Sequence, residues 1–365
     1  MSSDMWGSSR LVIIKSRPSA EVSDKAGMKR MVGQRLLQAS LALFWRGEYE
    51  SSLVVCERAL RVIPRDARVC AQWAAILRAL GQYKKALAAY ERALRLEPEE
   101  ALYWLGKGTA LYELRRYEEA LAAYEQALAL EACHPIAWQN KGCALLKLNC
   151  PEEALAAFER AMALNPIDSL APMRKADALV ALGRAEEALA ALEQATEWNP
   201  ANWLAQVKRA ALLSRLDYHA EALALYRWVA QQEPDCAPAY VGWGDELVRL
   251  DLLEQALAVY EQAVRLDPLN PFAHVRQGRI LVAVGRAREA LRVYARAIKL
   301  EPEYAPVHAQ KGLALAGLRR YEEALASFGR ALELDPTDEE SRNARAEVLQ
   351  CLQDLQAWRR GAALY

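Results

Sequence analysis

The sequence has few of the residues that build disulfide scaffolds or metal sites, and it lacks a membrane-spanning segment. It holds 7 cysteines and 4 histidines in 365 residues. An odd number of irregularly spaced cysteines argues against a disulfide framework and favours a reducing compartment. No apolar run approaches the length of a transmembrane helix, and the run at residues 11–14 is too short for a signal peptide. We therefore expect a cytoplasmic protein.

Charge of one sign is not in excess, and the motifs of common catalytic sites are missing. Lys plus Arg number 47 and Asp plus Glu number 47, so no net field favours nucleic acid or a membrane surface. The P-loop, the dinucleotide fingerprint and the metalloprotease and hydrolase motifs are absent. The densest Cys/His group, Cys133, His134, Cys143 and Cys150, has no zinc-site spacing. We expect no enzyme activity, no cofactor and no metal.

A repeat of 34 residues runs through most of the chain. Proline occupies eight of nine positions taken in steps of 34 from Pro64 to Pro336. Two small-residue columns keep the same period, one from Ser52 to Ala324 and one from Ala59 to Ala331. A fixed period of this length is typical of a solenoid built from one repeated supersecondary unit.

The best-formed repeat carries Trp138, Gly142, Ala154, Phe158 and Pro166, in the spacing typical of one family. From about residue 33 to residue 338 the chain resembles the tetratricopeptide repeat (TPR) family. The resemblance implies an all-α, right-handed superhelical solenoid of antiparallel helix pairs, with about nine repeats. Residues 339–365 are then a partial repeat that forms a C-terminal capping helix, and residues 1–32 a mobile basic tail.

The conserved spacing has a physical reason within each repeat. Glycine in the first helix (helix A) and alanine in the second (helix B) let the two backbones approach closely, and an aromatic residue of helix B fills the space between layers. Proline ends helix B, because it lacks an N–H and disfavours helix in the residue before it. The pattern therefore predicts two short helices in every repeat.

In the family that the chain resembles, the A helices line a concave groove and contact the partner from fixed repeat positions. The resemblance transfers this role to apolar and polar residues of repeats three to eight. These predicted partner-binding residues are Leu102, Leu105, Tyr112, Ile136, Gln139, Leu146, Leu170, Met173, Val180, Leu204, Val207, Val241, Phe272, Val275 and Arg279.

Charge is unevenly divided between the two helices of a repeat. In repeats three to nine, helix A has 12 Lys/Arg against 4 Asp/Glu, whereas helix B with its linker has 8 against 26. We therefore predict an apolar, basic-flanked groove. The partner predicted for it is another protein, bound through an amphipathic helix or an extended segment with apolar and acidic residues.

Other interpretations of the sequence remain open. Helical repeats also bind nucleic acid, and the chain could be the regulatory or targeting subunit of an enzyme on another chain, or could self-associate. Arg227 and Trp228 replace the Glu-Arg or Glu-Gln of most other repeats, which indicates a second contact on helix B. His274 and His308 share one repeat position and are interpreted as core imidazoles or as a pH-sensitive pair.

Overall fold

The computed structural model describes residues 25–168 and 170–362, and every regular element in those ranges is an α-helix. Residues up to 164 and residues from 165 onward form two compact units. The first unit contains α1 (Lys25–Trp45), α2 (Tyr49–Val62), α3 (Ala67–Ala79), α4 (Tyr83–Leu96), α5 (Ala101–Glu113), α6 (Tyr117–Leu130), α7 (Pro135–Lys147) and α8 (Pro151–Leu164).

The second unit continues the same alternation of helices. It contains α9 (Leu170–Ala181), α10 (Ala185–Trp198), α11 (Trp203–Arg215), α12 (His219–Gln232), α13 (Ala237–Arg249), α14 (Leu253–Leu266), α15 (Pro271–Ala283), α16 (Ala287–Leu300), α17 (Ala305–Gly317), α18 (Tyr321–Leu334) and α19 (Glu339–Ala362).

Within each unit, every odd-numbered helix packs against the even-numbered helix that follows it, and that helix packs against the next odd-numbered one. Neighbouring odd-numbered helices also touch, as α3 and α5 do in the first unit and α11 and α13 in the second. This arrangement confirms the prediction of an all-α solenoid of helix pairs. None of the helices in the described ranges combines the length and the apolar character needed to span a bilayer.

The N-terminal end of the repeat array differs from the prediction, and the C-terminal end agrees with it. Helix α1 begins at Lys25, so residues 25–32, predicted to belong to the mobile tail, are helical. Residues 1–24, which carry the rest of the predicted tail, lie outside the described residues. Helix α19 begins at Glu339, where the partial tenth repeat is predicted to start.

The core of each repeat is an aromatic ring held between two helix backbones. Tyr124 of α6 is fully buried, and a Cβ added to Gly108 of α5 would lie 2.6 Å from its ring. Phe158 and Gly142 have the same relation in the next repeat, also at 2.6 Å. Such distances are far below van der Waals contact, so only glycine permits this approach of helix to ring.

The turn between the paired helices places its central residue in the left-handed region at the same position of all nine repeats. Four repeats have glycine there, including Gly81 and Gly285, and five have other residues, including Asn149 and Arg319. In the third repeat, the N–H of Arg116 donates to the carbonyl of Leu111 and closes the helix end. The uniform turn keeps every helix pair in the same geometry.

Repeat nine allows this packing requirement to be tested with one substitution at two sites. In Gly312→Ala the new Cβ would lie 2.8 Å from Cε1 of the buried Phe328, so the ring must move. We expect a loss of about 1–3 kcal/mol in the free energy of unfolding, measured by urea denaturation.

Gly329→Ala is the matched control, because Gly329 lies in helix α18 and an added Cβ there meets nothing within 4 Å. Relief of the poor helix propensity of glycine should stabilise this variant by about 0.5–1 kcal/mol. Equal effects of the two substitutions would contradict the role of glycine in the ring contact.

Candidate functional site

Many basic side chains of the odd-numbered helices point to the even-numbered helix of the preceding repeat. In several repeats, Lys or Arg at the seventh repeat position forms an ion pair with a Glu sixteen residues earlier in the chain. The described pairs are Lys107 with Glu91 at 3.8 Å, Lys141 with Glu125 at 2.8 Å and Arg209 with Glu193 at 2.9 Å. These cations belong to the packing between repeats, so they contribute less to a basic groove than their number in the sequence indicates.

A second row of ion pairs connects neighbouring odd-numbered helices in the second unit. Lys208 of α11 lies 2.6 Å from Asp177 of α9, and Arg276 of α15 bonds Asp245 of α13. Tyr260 also donates its hydroxyl to Asp245. Burial raises the pKa of the Asp245 carboxyl, while the nearby Arg276 guanidinium acts in the opposite direction. The row links adjacent repeats and leaves fewer unpaired charges on this side.

The structure divides the fifteen predicted partner-binding residues into three groups. Three are buried in the core: Gln139, Met173 and Val275. Ten are partly buried, and several of these pack against core clusters: Leu102, Leu105, Tyr112, Ile136, Leu146, Leu170, Val180, Leu204, Val207 and Val241. Two are exposed: Phe272 and Arg279. The surface on this side is therefore much less apolar than the sequence positions indicate.

One face of α15 carries the most accessible group of these side chains. Phe272 is 50% exposed, and Arg276 and Arg279 follow it at helical spacing and are exposed as well. The ring of Phe272 meets that of Tyr304 edge-on, with centroids 4.9 Å apart. Leu313 of the neighbouring helix α17 is 45% exposed. We call Phe272, Arg276, Arg279 and Leu313 the α15 surface.

Arg227 and Trp228 of α12 face different neighbours. The guanidinium of Arg227 lies 5.7 Å from the ring centroid of Trp243, in a cation–π contact. Arg227 and Trp243 occupy the two repeat positions that form the ion pairs with Glu in other repeats, so the cation–π contact replaces an ion pair. Trp228 lines a cleft with the linker residues Pro200 and Ala201 and remains 40% exposed. Both residues are exposed, and their role as a second contact stays a prediction.

A polar cluster in the second unit has no counterpart in the sequence analysis. Glu246 of α13 is 1% exposed and accepts a hydrogen bond from Ser214 of α11. Its other oxygen lies 2.9 Å from Nδ1 of His219, the first residue of α12. The sequence does contain a signal of this cluster, because every other repeat has Ala or another apolar residue at the position of Glu246.

This cluster does not have the arrangement of a catalytic triad. Ser214 and His219 both bind the carboxylate of Glu246, so the imidazole is not placed to take the proton of the serine hydroxyl. The second nitrogen of His219 lies 3.6 Å from Asp217. We interpret the cluster as a buried polar link between α11, α12 and α13.

The two histidines that share a repeat position each bind a linker carbonyl. Nε2 of His274 lies 3.0 Å from the oxygen of Pro268, and Nε2 of His308 lies 2.9 Å from that of Pro302. The indole Nε1 of Trp104 makes the equivalent bond to Pro98 at 2.8 Å in the third repeat. This position therefore supplies a donor that closes the linker. Burial lowers the pKa of His274 below its ordinary value, while its bond to Pro268 opposes that shift.

The described residues contain no group of three or more His, Cys, Asp or Glu side chains that could hold a metal ion. Cys133 is exposed, and Cys143 and Cys150 are partly buried. The sites with chemical character in the described part of the chain are therefore the α15 surface, the Trp228 cleft and the Glu246 cluster.

These features define a class of protein: a repeat-built helical scaffold whose surfaces are suited to binding. The sequence model of the tetratricopeptide repeat family matches residues 72–135, 207–271 and 275–339, and a second tetratricopeptide repeat model matches residues 145–216. The first of these models alone covers more than half of the chain. The chain belongs to the tetratricopeptide repeat family.

Solved structures share the fold of this chain. A tetratricopeptide repeat protein from Parabacteroides merdae is 19% identical, with a TM-score of 0.57, and the match covers 69% of this chain and 99% of that one. The pilF protein of Pseudomonas aeruginosa is 21% identical, with a TM-score of 0.51, over 58% of this chain and 96% of its own. At this identity the likeness concerns the fold alone. No curated protein matches the sequence significantly.

Family membership decides the general kind of function. Tetratricopeptide repeats form protein–protein interaction scaffolds and are typically not enzymes themselves. The general prediction of a protein-binding scaffold is therefore supported.

The burial of His274 predicts a pH dependence of stability. Because the pKa of His274 is lowered in the folded state, the unfolded state binds a proton more readily as the pH falls through the ordinary value of 6.5. The contribution of this residue is thus fully present above that pH and is lost below it. His274→Trp should keep the bond to Pro268, as Trp104 does to Pro98, without titrating.

Urea unfolding at about pH 8 and at about pH 5.5 checks this expectation. The stability lost between the two values should be smaller in His274→Trp than in the unmodified protein. An equal loss in both would show that His274 does not contribute to the acid sensitivity.

The Glu246 cluster predicts a non-additive set of substitutions. Glu246→Ala removes the hydrogen-bond partner of Ser214 and His219. We expect this variant to lose about 1–3 kcal/mol in the free energy of unfolding. The triple variant Ser214→Val, His219→Tyr and Glu246→Ala instead places at each position a residue found there in other repeats. Replacing a whole buried polar group by apolar residues is often neutral or stabilising.

We therefore expect the triple variant to unfold at a urea concentration at or above that of the unmodified protein. A triple variant less stable than Glu246→Ala would contradict the interpretation of the cluster as an interchangeable polar link.

Proposed function

We propose that this scaffold binds an extended or amphipathic segment of another protein at the α15 surface. The observation that carries the proposal is the combination of Phe272 and Arg279, exposed on one face of α15, with the exposed Leu313 beside them on α17. A half-exposed aromatic side chain next to an arginine is typical of the anchors at protein interfaces.

The spacing on α15 specifies what the segment should carry. Phe272 and Arg279 are seven residues apart on one helix, which corresponds to about 10 Å along the axis. A segment in the extended polyproline II conformation rises about 3.1 Å per residue and makes one turn every three residues, so two side chains three positions apart lie on the same side and span about that distance. An apolar residue followed or preceded three positions away by Asp or Glu could contact both side chains, the apolar one at Phe272 and the acidic one at Arg279.

Acidic partners remain favoured, although for a narrower reason than the count of charges in the sequence. Several Lys and Arg side chains of the odd-numbered helices are already paired, for example Lys141 with Glu125 and Arg209 with Glu193. Arg279 keeps its guanidinium on the exposed face. The same pairing gives no support to the nucleic-acid alternative, which needs unpaired cations along a continuous surface. We keep the cytoplasm as the proposed location, on the basis of the cysteine content.

Selection of a random peptide library on the whole chain tests the proposal. Enriched peptides should pair an apolar residue with Asp or Glu, three positions apart if extended or seven if helical. Phe272→Ala and Arg279→Glu should each weaken binding of a selected peptide by roughly tenfold or more, measured by fluorescence anisotropy.

Ile167→Glu is the matched control, since Ile167 is 88% exposed in a linker before α9 and does not belong to the α15 surface. It should leave the affinity unchanged. Selected peptides whose affinity is insensitive to both α15 variants would overturn the proposed site.

A further inference from the structure

Two tryptophans in the second unit line a cleft that the α15 surface does not include. Trp203 begins α11 and Trp228 lies on α12, and each is 40% exposed. With Pro200, Gln232 and Glu233 they surround a cleft of about 280 Å³. Its size suits one side chain of a partner and not a whole helix.

Neither tryptophan is required by the repeat. At the position of Trp228 the other repeats have only Arg or Gln, and at that of Trp203 small residues or proline prevail. In the second repeat, the equivalent Arg92 donates to the carbonyl of Pro64 at 2.5 Å, which fastens the preceding linker. Trp228 lies against the equivalent linker at Pro200 and gives up that charged bond. The indole rings of Trp203 and Trp228 are therefore partly exposed to solvent at positions where the packing of the repeats does not require an aromatic residue.

The chemistry of the cleft indicates a cationic ligand. The faces of indole rings attract ammonium and guanidinium groups. Glu233 adds a negative charge to the lining, and no Lys or Arg contributes to it. Arg227, the neighbouring cation on α12, is directed to Trp243 instead. We propose that this cleft is a second binding site, which takes a Lys or Arg side chain from an extended segment of a partner protein.

This site is independent of the α15 surface and has the opposite charge preference. The α15 surface presents Arg279, whereas the lining of the cleft combines Glu233 with two aromatic rings. A polyanion such as nucleic acid would be repelled by that carboxylate. No residue that lines the cleft belongs to the α15 surface.

The test uses the full chain labelled with 5-fluorotryptophan, and its fluorine NMR signals report each of the 10 tryptophans. Trp203→Phe and Trp228→Phe assign the two signals of the cleft. The probe is the pentapeptide acetyl-Gly-Ala-Arg-Ala-Gly-amide, and its twin carries citrulline, which is neutral and nearly the same shape. We expect the Trp203 and Trp228 signals to shift together with the arginine peptide, and the citrulline peptide to bind roughly fivefold or more weakly.

Substitutions in the cleft and outside it make the test specific. Trp228→Arg restores the residue of the second repeat, should fold normally, and should abolish the response of Trp203 to the peptide. Glu233→Gln should weaken binding without altering the signals of the free protein elsewhere. Trp45→Arg makes the same change at an exposed tryptophan of the first unit and should leave the affinity unchanged.

Three results would overturn the proposal. The first is the absence of any shift of both signals with the arginine peptide. The second is equal binding of the arginine and citrulline peptides, which would make the cleft an apolar site. The third is a shift of the two signals with protein concentration alone, which would show that a second copy of the chain fills the cleft.

Discussion

The close contact between a helix backbone and an aromatic ring is the constraint on which the rest of this structure depends. Tyr124, Phe158 and Phe328 each lie where a Cβ on the facing glycine would overlap the ring. Because each contact joins only the two helices of one repeat, or one repeat to the next, stability accumulates from neighbour to neighbour. This close contact explains why small residues recur at fixed positions of the repeat in the sequence.

Positions outside this contact vary, but they vary in pairs. Lys141 and Glu125 form an ion pair between repeats, whereas the same two positions are filled by Trp243 and Arg227 further along, in a cation–π contact. The donor that closes each linker is likewise Trp in one repeat and His in another. At the interface between repeats an attractive contact recurs, while the residue types that form it change. A single unusual residue is therefore a poor indicator of a functional site.

Against this background, two surfaces of the second unit have more exposed aromatic character than packing needs. Phe272 lies beside Arg279, and Trp203 and Trp228 lie beside Glu233. Their charges are opposite, so one surface suits an acidic segment and the other a basic one. A scaffold with two such sites on its repeats could hold two different partners, or two parts of one partner, at the same time.

The sequence by itself determined the repeat and the all-helical fold, because these follow from local signals that recur every 34 residues: the proline, the small-residue positions and the aromatic position. Tertiary structure decided which side chains reach solvent. Val275 and Phe272 are three residues apart on α15, and both were predicted to contact the partner. Val275 is buried, however, whereas Phe272 is half exposed. Ser214, His219 and Glu246 meet only because neighbouring repeats stack. Such contacts depend on how one repeat is rotated against the next, and a local pattern does not specify that rotation.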